Sequence, residues 1–385
     1  MMHQAWPQAW VSIDIGNVVA NAKILHAVAE ERGKVDIQLL VMVKADAYGC
    51  GAQEVARALS NSFGPVWGYG VATLDEGIVL RHYVHDPILV LTPAVPANLD
   101  TYAHWKLRAV IDDPAVAMVW HKGLPFHIEI DTGLNRNGIH WKDKRKLAVC
   151  AAQHCDGAFT HLAAADCNHG ITTHQASYFE LALEHLKPLP HYLHIANSAG
   201  VWRAPALREC NLVRPGSFLY GGRPSPEIPK PWPVMSVNAR VVSVHEAEGG
   251  EWVGYYNHAP YLQQRVRIAV LGIGYADGVP QRLGRRRDHL HDPEQGYVLL
   301  HGKRQPILSV AQDFTIIAVA TEGHEETTTG HHATLLGKQG QEEITVNEFA
   351  TWGGTVVDDV LTRFGTSRLK RTFNPTRQHF KEDVS

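Results

Sequence analysis

The stretch LLVMVKADAYG, residues 39–49, decides the fold, because it joins the longest aliphatic run of the chain, Leu39–Val43, to a lysine. A continuous apolar run bounded by small residues is typical of a strand buried on both faces of a parallel sheet. Lys44 then lies at the carboxyl end of a strand, where partial burial would lower the pKa of its amine and make it nucleophilic. The same pattern also fits a solvated cation, so other residues must decide.

Residues 35–220 repeat a short apolar run, a polar or glycine-bearing loop and an amphipathic stretch of helix length. This alternation predicts parallel strands joined by helical crossovers. The predicted strands are Leu39–Lys44, Trp67–Val71, Ile88–Leu91, Ala109–Ile111, Phe126–Ile130, Ala158–His161, Tyr192–Ile195 and Leu212–Arg214. Eight such units favour an α/β fold with a closed (β/α)8, TIM-like barrel, and an open doubly wound sheet is the alternative.

The pattern changes after residues 224–226, where a proline-rich connector runs to Pro233. Apolar and polar residues alternate from Met235 onward, and glycine-rich turns separate further short apolar runs, which predicts a mostly antiparallel β domain. Those runs are Val266–Leu271, Tyr297–Leu300, Ile316–Val319 and Ala333–Leu336. We therefore expect an N-terminal strand in residues 1–14 that packs with the C-terminal domain, a barrel over residues 15–232 and a β domain over residues 233–385.

Composition limits the partners of the chain. Of 385 residues 45% are hydrophobic, and 36 Lys and Arg oppose 39 Asp and Glu for a net charge of −3. Such a balance gives no basic field for nucleic acid or an anionic membrane. No apolar run approaches the ~20 residues of a membrane span, and Met1–Gln4 lacks a basic segment followed by an apolar one. We expect a cytoplasmic protein.

Cysteine and histidine patterns indicate neither disulfides nor a metal. The five cysteines form no C-x-x-C pair, as is usual for reduced thiols. The 24 histidines are scattered, without an H-E-x-x-H motif. We therefore predict no disulfide framework and no metal site.

The lysine segment V-K-A-D-A-Y-G-C-G, residues 43–51, resembles a motif of the alanine racemase family. Further matches follow in the family's order: Asp131-Thr132-Gly133-Leu134-Asn135-Arg136, Thr160-His161-Leu162-Ala163, Asn197-Ser198-Ala199-Gly200, Arg214-Pro215-Gly216, Leu219-Tyr220-Gly221 and Ile273-Gly274-Tyr275-Ala276-Asp277-Gly278. The resemblance extends from Ala9 to about Phe373. It implies a barrel plus a β domain, pyridoxal 5'-phosphate as cofactor and a head-to-tail homodimer.

The resemblance also implies a reaction, the interconversion of L- and D-alanine for cell-wall synthesis. Racemisation removes the α-proton on one face of the substrate and returns a proton on the other, so two bases must flank that carbon. By resemblance Lys44, which would carry the cofactor, serves one face. Tyr255, in the segment Val253-Gly254-Tyr255-Tyr256, would serve the other face from the partner subunit.

Further roles follow from the same resemblance. Arg136 would approach the tyrosine and the cofactor hydroxyl, His161 would stack on the cofactor ring and hydrogen-bond to Arg214, and Arg214 would face the ring nitrogen. The remaining cofactor-binding positions are Tyr48, Asn197, Ser198, Gly216, Ser217 and Gly221. The substrate-binding positions are Arg136, Tyr275, Gln312 and Asp313, with Tyr275 narrowing the entrance from the partner subunit.

Several positions depart from the family pattern, among them Leu308 and Ser309 in place of a Gly-Arg pair and Tyr256 in place of a glycine. Gln312 replaces a methionine, and Asp358 aligns weakly with a tyrosine expected to reach the phosphate. Asn137 follows Arg136, as in broad-specificity racemases. Glu129 stands where many members carry a carbamylated lysine that holds the arginine, and a carboxylate would supply that charge directly.

The alternatives are therefore a racemase acting on serine or longer side chains, and a non-catalytic regulatory protein that carries the cofactor. A decarboxylase of this fold is less favoured, because Arg214 occupies the position of an acid in those enzymes. The regulatory protein is less favoured because such single-barrel proteins lack a C-terminal domain.

Overall fold

The computed structural model describes residues 6–33, 36–120, 123–153, 155–205, 210–255, 260–284, 295–319 and 326–374. The chain divides into two compact units. The barrel unit comprises Val18–Ala47 and Gly51–Trp232, and the β unit comprises Met1–Asn17, Tyr48–Cys50 and Pro233–Ser385.

The chain begins with β1 (Ala9–Asp14) and α1 (Ile15–Arg32), and the barrel strands follow. They are β2 (Gln38–Met42), β3 (Val66–Val71), β4 (Ile88–Pro93), β5 (Arg108–Ile111), β6 (Phe126–Asp131), the short β7 (Ile139–His140), β8 (Cys155–Phe159), β9 (Tyr192–His194) and β10 (Leu212–Val213). The pairing is parallel in the order β10-β2-β3-β4-β5-β6-β8-β9, and β7 pairs with β6. The Arg214 amide donates to the Ala196 carbonyl at 2.8 Å, which joins β9 to β10. The predicted closed barrel is confirmed.

Helices connect these strands. They are α2 (Lys44–Tyr48), α3 (Ala52–Ser62), α4 (Leu74–Arg81), α5 (Leu99–Trp105), α6 (Pro114–Val119), α7 (Lys144–Ala151), α8 (His169–Leu183) and α9 (Ser198–Arg203). The core lies between strands and helices, and Leu39, Leu40 and Val41 of β2 are fully buried. Burial on both faces explains why this strand is a continuous apolar run.

The β unit has its own sheet, in the order β17-β16-β13-β14-β15-β12-β11-β1-β18. Its strands after β1 are β11 (Met235–Ala247), β12 (Val266–Leu271), β13 (Tyr297–Leu300), β14 (Lys303–Val310), β15 (Thr315–Ala318), β16 (His332–Gln339), β17 (Glu342–Ile344) and β18 (Lys370–Asn374). Its helices are α10 (Val346–Gly353) and α11 (Val357–Gly365). β1 pairs antiparallel with β11 and parallel with β18. The predicted antiparallel domain is confirmed, although β14, β17, β18 and both helices were not predicted.

Within the parts of the chain that the structure describes, no helix is both long and apolar enough to span a bilayer. The five cysteines are free thiols, and only Cys167 among them is exposed.

Candidate active site

The backbone after Lys44 is left-handed. Lys44 opens α2, and φ is +50° at Ala45, +54° at Asp46, +55° at Ala47 and +55° at Tyr48. A left-handed turn costs an L-residue about 1–2 kcal/mol, so neighbouring groups must hold this segment in place. The turn sets the direction in which the chain leaves Lys44.

Glu76, in the first turn of α4, is one of these groups. Its Oε1 accepts from the Ala45 amide at 2.7 Å and its Oε2 from the Ala72 amide at 2.7 Å. One carboxylate thus joins the turn after Lys44 to the end of β3. Sequence reasoning did not identify Glu76, although Thr73-x-x-Glu76 has the form of a capping box.

Arg214 is buried where β10 ends, with 3% of its surface exposed. Its Nη1 lies 2.9 Å from His194 Nδ1 and donates to the His194 carbonyl at 3.0 Å. Its Nη2 donates to the carbonyls of Thr160 at 2.7 Å and Ile195 at 3.3 Å. Among the residues that the structure describes, the predicted hydrogen bond between Arg214 and His161 is absent. The guanidinium is directed toward β9 instead, where His194 accepts its hydrogen bonds.

His161 nevertheless lies within the electrostatic influence of the other basic residues. Burial, reinforced by the charges of Arg214, Arg136 and Lys44, lowers the pKa of His161 to about 3. The imidazole is therefore neutral and presents a flat ring instead of a cation. Lys44, Arg136 and Arg214, which follow three other strands of the barrel, thus all act electrostatically on His161.

Glu129 lies on β6 beneath the loop that carries Arg136. Only 4% of its surface is exposed, and burial raises the pKa of its carboxyl to about 7, although the charges of Arg136 and Arg214 oppose the increase. Asp131 shapes the loop, since its Oδ1 accepts from the amides of residues 133–135 at 3.0–3.1 Å. Arg136 itself is exposed on that loop.

The corner between β9 and β10 presents hydrogen-bond donors. Ser198 Oγ accepts from the amides of Gly216 at 2.9 Å and Phe218 at 3.3 Å, so the hydroxyl proton remains to donate outward. Asn197 Oδ1 caps α9 at the Gly200 amide, and Ser217 begins a 3-10 turn that ends at Gly221 with φ +91°. Neutral hydroxyl and amide donors of this kind fit a phosphate group.

Tyr48 belongs to the β unit and is buried there. Burial and the negative charge of Asp358 both raise the pKa of its phenol, so the tyrosine is neutral. The carboxylate that replaces the expected tyrosine therefore lies close enough to Tyr48 to act on it electrostatically.

The β unit places Tyr255 on an anchored but exposed segment. Val253 is buried in a cluster with Leu262 and Ile268, whereas Tyr255 is 66% exposed. Gly254 has φ +98°, and a Cβ there would come within 2.2 Å of Ser309 Oγ, so only glycine lets the backbone pass. Tyr256, the neighbouring aromatic, lies outside the described residues.

Tyr275, Gln312 and Asp313 lie on two adjoining loops of the β unit. The amides of Tyr275 and Ala276 donate to the carbonyls of Ala311 and Gln312 at 3.0 Å each. Asp313 accepts from Arg368 Nη2 at 2.5 Å, and Tyr275 is 44% exposed. These side chains are presented at the surface of their unit.

The fold and the candidate site are those of a barrel enzyme, a class in which catalytic groups lie at the carboxyl ends of the strands. The chain belongs to the alanine racemase family: the N-terminal domain model of that family matches residues 13–224 and the C-terminal domain model matches residues 234–373. The resemblance predicted from the motifs is confirmed.

Known proteins match this chain over nearly its whole length. The alanine racemase of Nostoc sp. is 35% identical over 94% of this chain and 95% of its own length, and that of Carboxydothermus hydrogenoformans is 32% identical over 92% and 96%. The alanine racemase of Bacillus anthracis with bound L-Ala-P is 28% identical with a TM-score of 0.81, covering 96% of each chain. The Bartonella henselae enzyme with covalently bound pyridoxal phosphate is 25% identical with a TM-score of 0.83, covering 95% of this chain and 99% of the other.

Proposed function

We propose that this chain interconverts L- and D-alanine with pyridoxal 5'-phosphate as its cofactor, in the cytoplasm. The observation that carries the proposal is the electrostatic convergence of Lys44, Arg136, His161 and Arg214 in a barrel of this family. When bound, the cofactor acidifies the α-hydrogen of an amino acid by accepting electron density into its ring. The residues present fit such a group, because donors, a neutral ring and a lysine surround the mouth of the barrel.

Each residue has a separate task in this reaction. Lys44 holds the cofactor and exchanges a proton on one face of the substrate. Tyr255 exchanges a proton on the other face. Arg214 donates to the ring nitrogen without giving up its proton, which limits electron withdrawal and favours simple racemisation. Tyr48, Ser198, Gly216, Ser217 and Gly221 hold the phosphate, while Asn197 supports Ser198 at the start of α9.

The proposed enzyme is a homodimer with composite sites. Tyr255 is too exposed for a group that must exchange protons with carbon, because bulk water competes for its hydroxyl. Covering it with the barrel of a partner subunit would exclude that water and would place Tyr275, Gln312 and Asp313 beside the substrate. The high exposure of Tyr255 and Tyr275 supports this arrangement.

A broader substrate range is the second candidate. It is favoured by Asn137, which follows Arg136 and is half-buried in the loop after β6. The non-catalytic regulatory protein is disfavoured, because residues 234–373 match the C-terminal domain of the family.

The test is a direct measurement of enantiomers. The purified protein is loaded with cofactor, incubated separately with L-alanine, L-serine and L-lysine, and the D-enantiomer is quantified by chiral chromatography. We expect alanine to be racemised fastest. Faster turnover of serine or lysine would contradict alanine as the preferred substrate. Absence of turnover with every amino acid, once cofactor binding is demonstrated, would reject racemase activity.

A further inference from the structure

A chain of polar side chains runs from Arg214 through the interior of the barrel to the opposite end. His194 accepts Arg214 at Nδ1, and its Nε2 lies 2.8 Å from His127 Nδ1. His127 Nε2 lies 3.5 Å from Asp156 Oδ1, and Asp156 Oδ2 is paired with Arg108. His127, Asp156 and Arg108 lie at the amino-terminal ends of β6, β8 and β5, far from the loops that carry chemistry in barrels.

The middle of this chain is sealed from solvent. His127 and His194 have no exposed surface. The His127 ring packs on Gly157, where a Cβ would come within 2.5 Å of three ring atoms. Trp67 lies beside the same ring at 5.4 Å and also stacks under Arg108 at 4.9 Å. The His127 ring is thus packed between Gly157 and Trp67, and its two nitrogens face His194 and Asp156.

Three buried polar atoms in this cluster lack a hydrogen bond within the described ranges: Arg108 Nη1, His127 Nε2 and Asp156 Oδ1. Buried polar groups need partners, and the Asp156 carboxylate faces His127 Nε2 with one oxygen and Arg108 Nη1 with the other. One carboxylate between an imidazole and a guanidinium is the natural way to satisfy all of them.

The two ends of this series of hydrogen-bonded side chains determine which nitrogen carries each proton within it. Arg214 can only donate, so His194 Nδ1 must be unprotonated and its proton must lie on Nε2. His127 Nδ1 must then accept, which puts its proton on Nε2, facing Asp156. The carboxylate can only accept, from His127 on one side and Arg108 on the other. A single tautomer of each histidine satisfies the whole chain.

We propose that Asp156 is a positioning residue that fixes the tautomers of His127 and His194 and thereby keeps Arg214 anchored opposite the ring nitrogen of the cofactor. The proposal rests on the proposed function only for the role of Arg214. Burial and nearby arginines lower the pKa of both histidines well below the usual range, which keeps them neutral, as the chain of hydrogen bonds requires.

The substitution Asp156→Asn reverses the chain. Arg108 takes the amide oxygen, so the NH2 group faces His127 Nε2, which must then accept. The proton of His127 therefore moves to Nδ1 and is donated to His194 Nε2. The proton of His194 then moves to its own Nδ1, so that this N–H and the N–H of Arg214, both donors, face each other. The loss of one hydrogen bond to a charged group lowers cofactor affinity and kcat about tenfold or more, while the KM for alanine stays within about twofold.

The first test needs no variant. The full chain is labelled with 15N-histidine, and long-range 1H–15N correlation spectra report which ring nitrogens are protonated, with and without pyridoxal 5'-phosphate. Signals are assigned by their loss in His194→Gln and His127→Gln. We expect both histidines to be neutral and protonated at Nε2 only. A cationic His194, or one protonated at Nδ1, overturns the proposal even if the protein proves to have no racemase activity.

The second test compares variants. Asp156→Asn should move the His194 proton to Nδ1 and weaken cofactor binding, whereas Asp143→Asn, a carboxylate that caps α7, should change neither. In a His127→Phe background, which interrupts the chain, Asp156→Asn should have no further effect on His194 or on cofactor affinity. A further tenfold loss in that background, or unchanged tautomers in Asp156→Asn, overturns the role of Asp156.

Discussion

The candidate site residues of the barrel unit and those of the β unit differ in how firmly they are held. Arg214 makes four hydrogen bonds and is buried, and Ser198 is fixed by two amides. Tyr255, in contrast, is 66% exposed at the tip of an anchored segment. Asp313 is half-buried, with 44% of its side chain exposed, and Arg368 pairs with it.

The candidate site residues of the barrel unit are therefore held in place before any ligand binds, whereas those of the β unit are presented outward. Preorganisation places groups correctly before the substrate arrives. Outward presentation suits a group that completes a site in another molecule. The contrast therefore predicts unequal effects of substitutions in the two units.

The largest effect is expected from Lys44→Ala in the barrel unit. The substitution removes the amine that we propose holds the cofactor, so racemisation should fall to background. After borohydride reduction, mass spectrometry should find cofactor on the wild-type chain and none on the variant. An unchanged covalent adduct in Lys44→Ala would show that another amine is the anchor.

A smaller but still severe loss is expected from Tyr255→Phe in the β unit. Removing one of two bases should slow racemisation by about 10²–10⁴-fold, with cofactor binding unchanged. Exchange of the α-proton with solvent should suffer more for one enantiomer than for the other, and hydrogen–deuterium exchange followed by mass spectrometry measures this. Equal, modest losses for both enantiomers would contradict the two-face mechanism.

Mixing Lys44→Ala with Tyr255→Phe tests whether the barrel unit of one protomer and the β unit of its partner together form a site. A heterodimer of Lys44→Ala and Tyr255→Phe protomers contains one site with both native groups. Random exchange makes half of the dimers mixed, so about a quarter of wild-type activity should return. Heterodimers demonstrated by native mass spectrometry without recovered activity would argue for sites built within one chain.

A moderate effect is expected from Glu76→Gln, which tests how rigid the turn after Lys44 must be. Glutamine has a single side-chain oxygen, so it can accept from the Ala45 amide or the Ala72 amide but not from both. The capping box with Thr73 persists. The lost charge-assisted bond should weaken cofactor binding about tenfold, as measured by cofactor titration. Asp75→Asn, which alters the neighbouring exposed carboxylate, is the matched control and should bind cofactor like the wild type.

The sequence predicted the barrel because buried strands are continuous apolar runs, and Lys44 because it directly follows the clearest of them. It did not predict the left-handed turn, since Ala45 and Ala47 carry none of the glycine or asparagine signal of positive φ. His161 was predicted as the partner of Arg214, whereas the structure shows His194. The sequence does not reveal which of the two is nearer, because that depends on how neighbouring strand ends and loops are arranged in three dimensions. His127 and Asp156 were missed because residues that start strands rarely carry chemistry.

The smallest effect is expected from Glu129→Gln, in which stability and activity should move in opposite directions. The carboxyl has a pKa of about 7 in the folded chain, against about 4.3 when unfolded. The folded state therefore binds this proton more tightly, so its contribution to stability is complete below about pH 4.3 and is lost as the pH rises through about 7. Above that pH the variant, which carries no charge, should be more stable than the wild type by up to about 4 kcal/mol, and the two should converge near pH 4.

Activity should change in the opposite sense, because Arg136 loses the negative charge beneath its loop. We expect racemisation several-fold slower, mainly in the chemical step, with the wild type indifferent to bicarbonate and Glu129→Lys partly rescued by it through carbamylation. Urea unfolding of the cofactor-free protein and single-turnover racemisation at matched pH values measure the two effects. Glu180→Gln, a substitution at an exposed carboxylate of α8, should alter neither quantity. If Glu129→Gln is stabilised as expected but racemises alanine at the wild-type rate, Glu129 is a strained buried acid with no part in positioning Arg136.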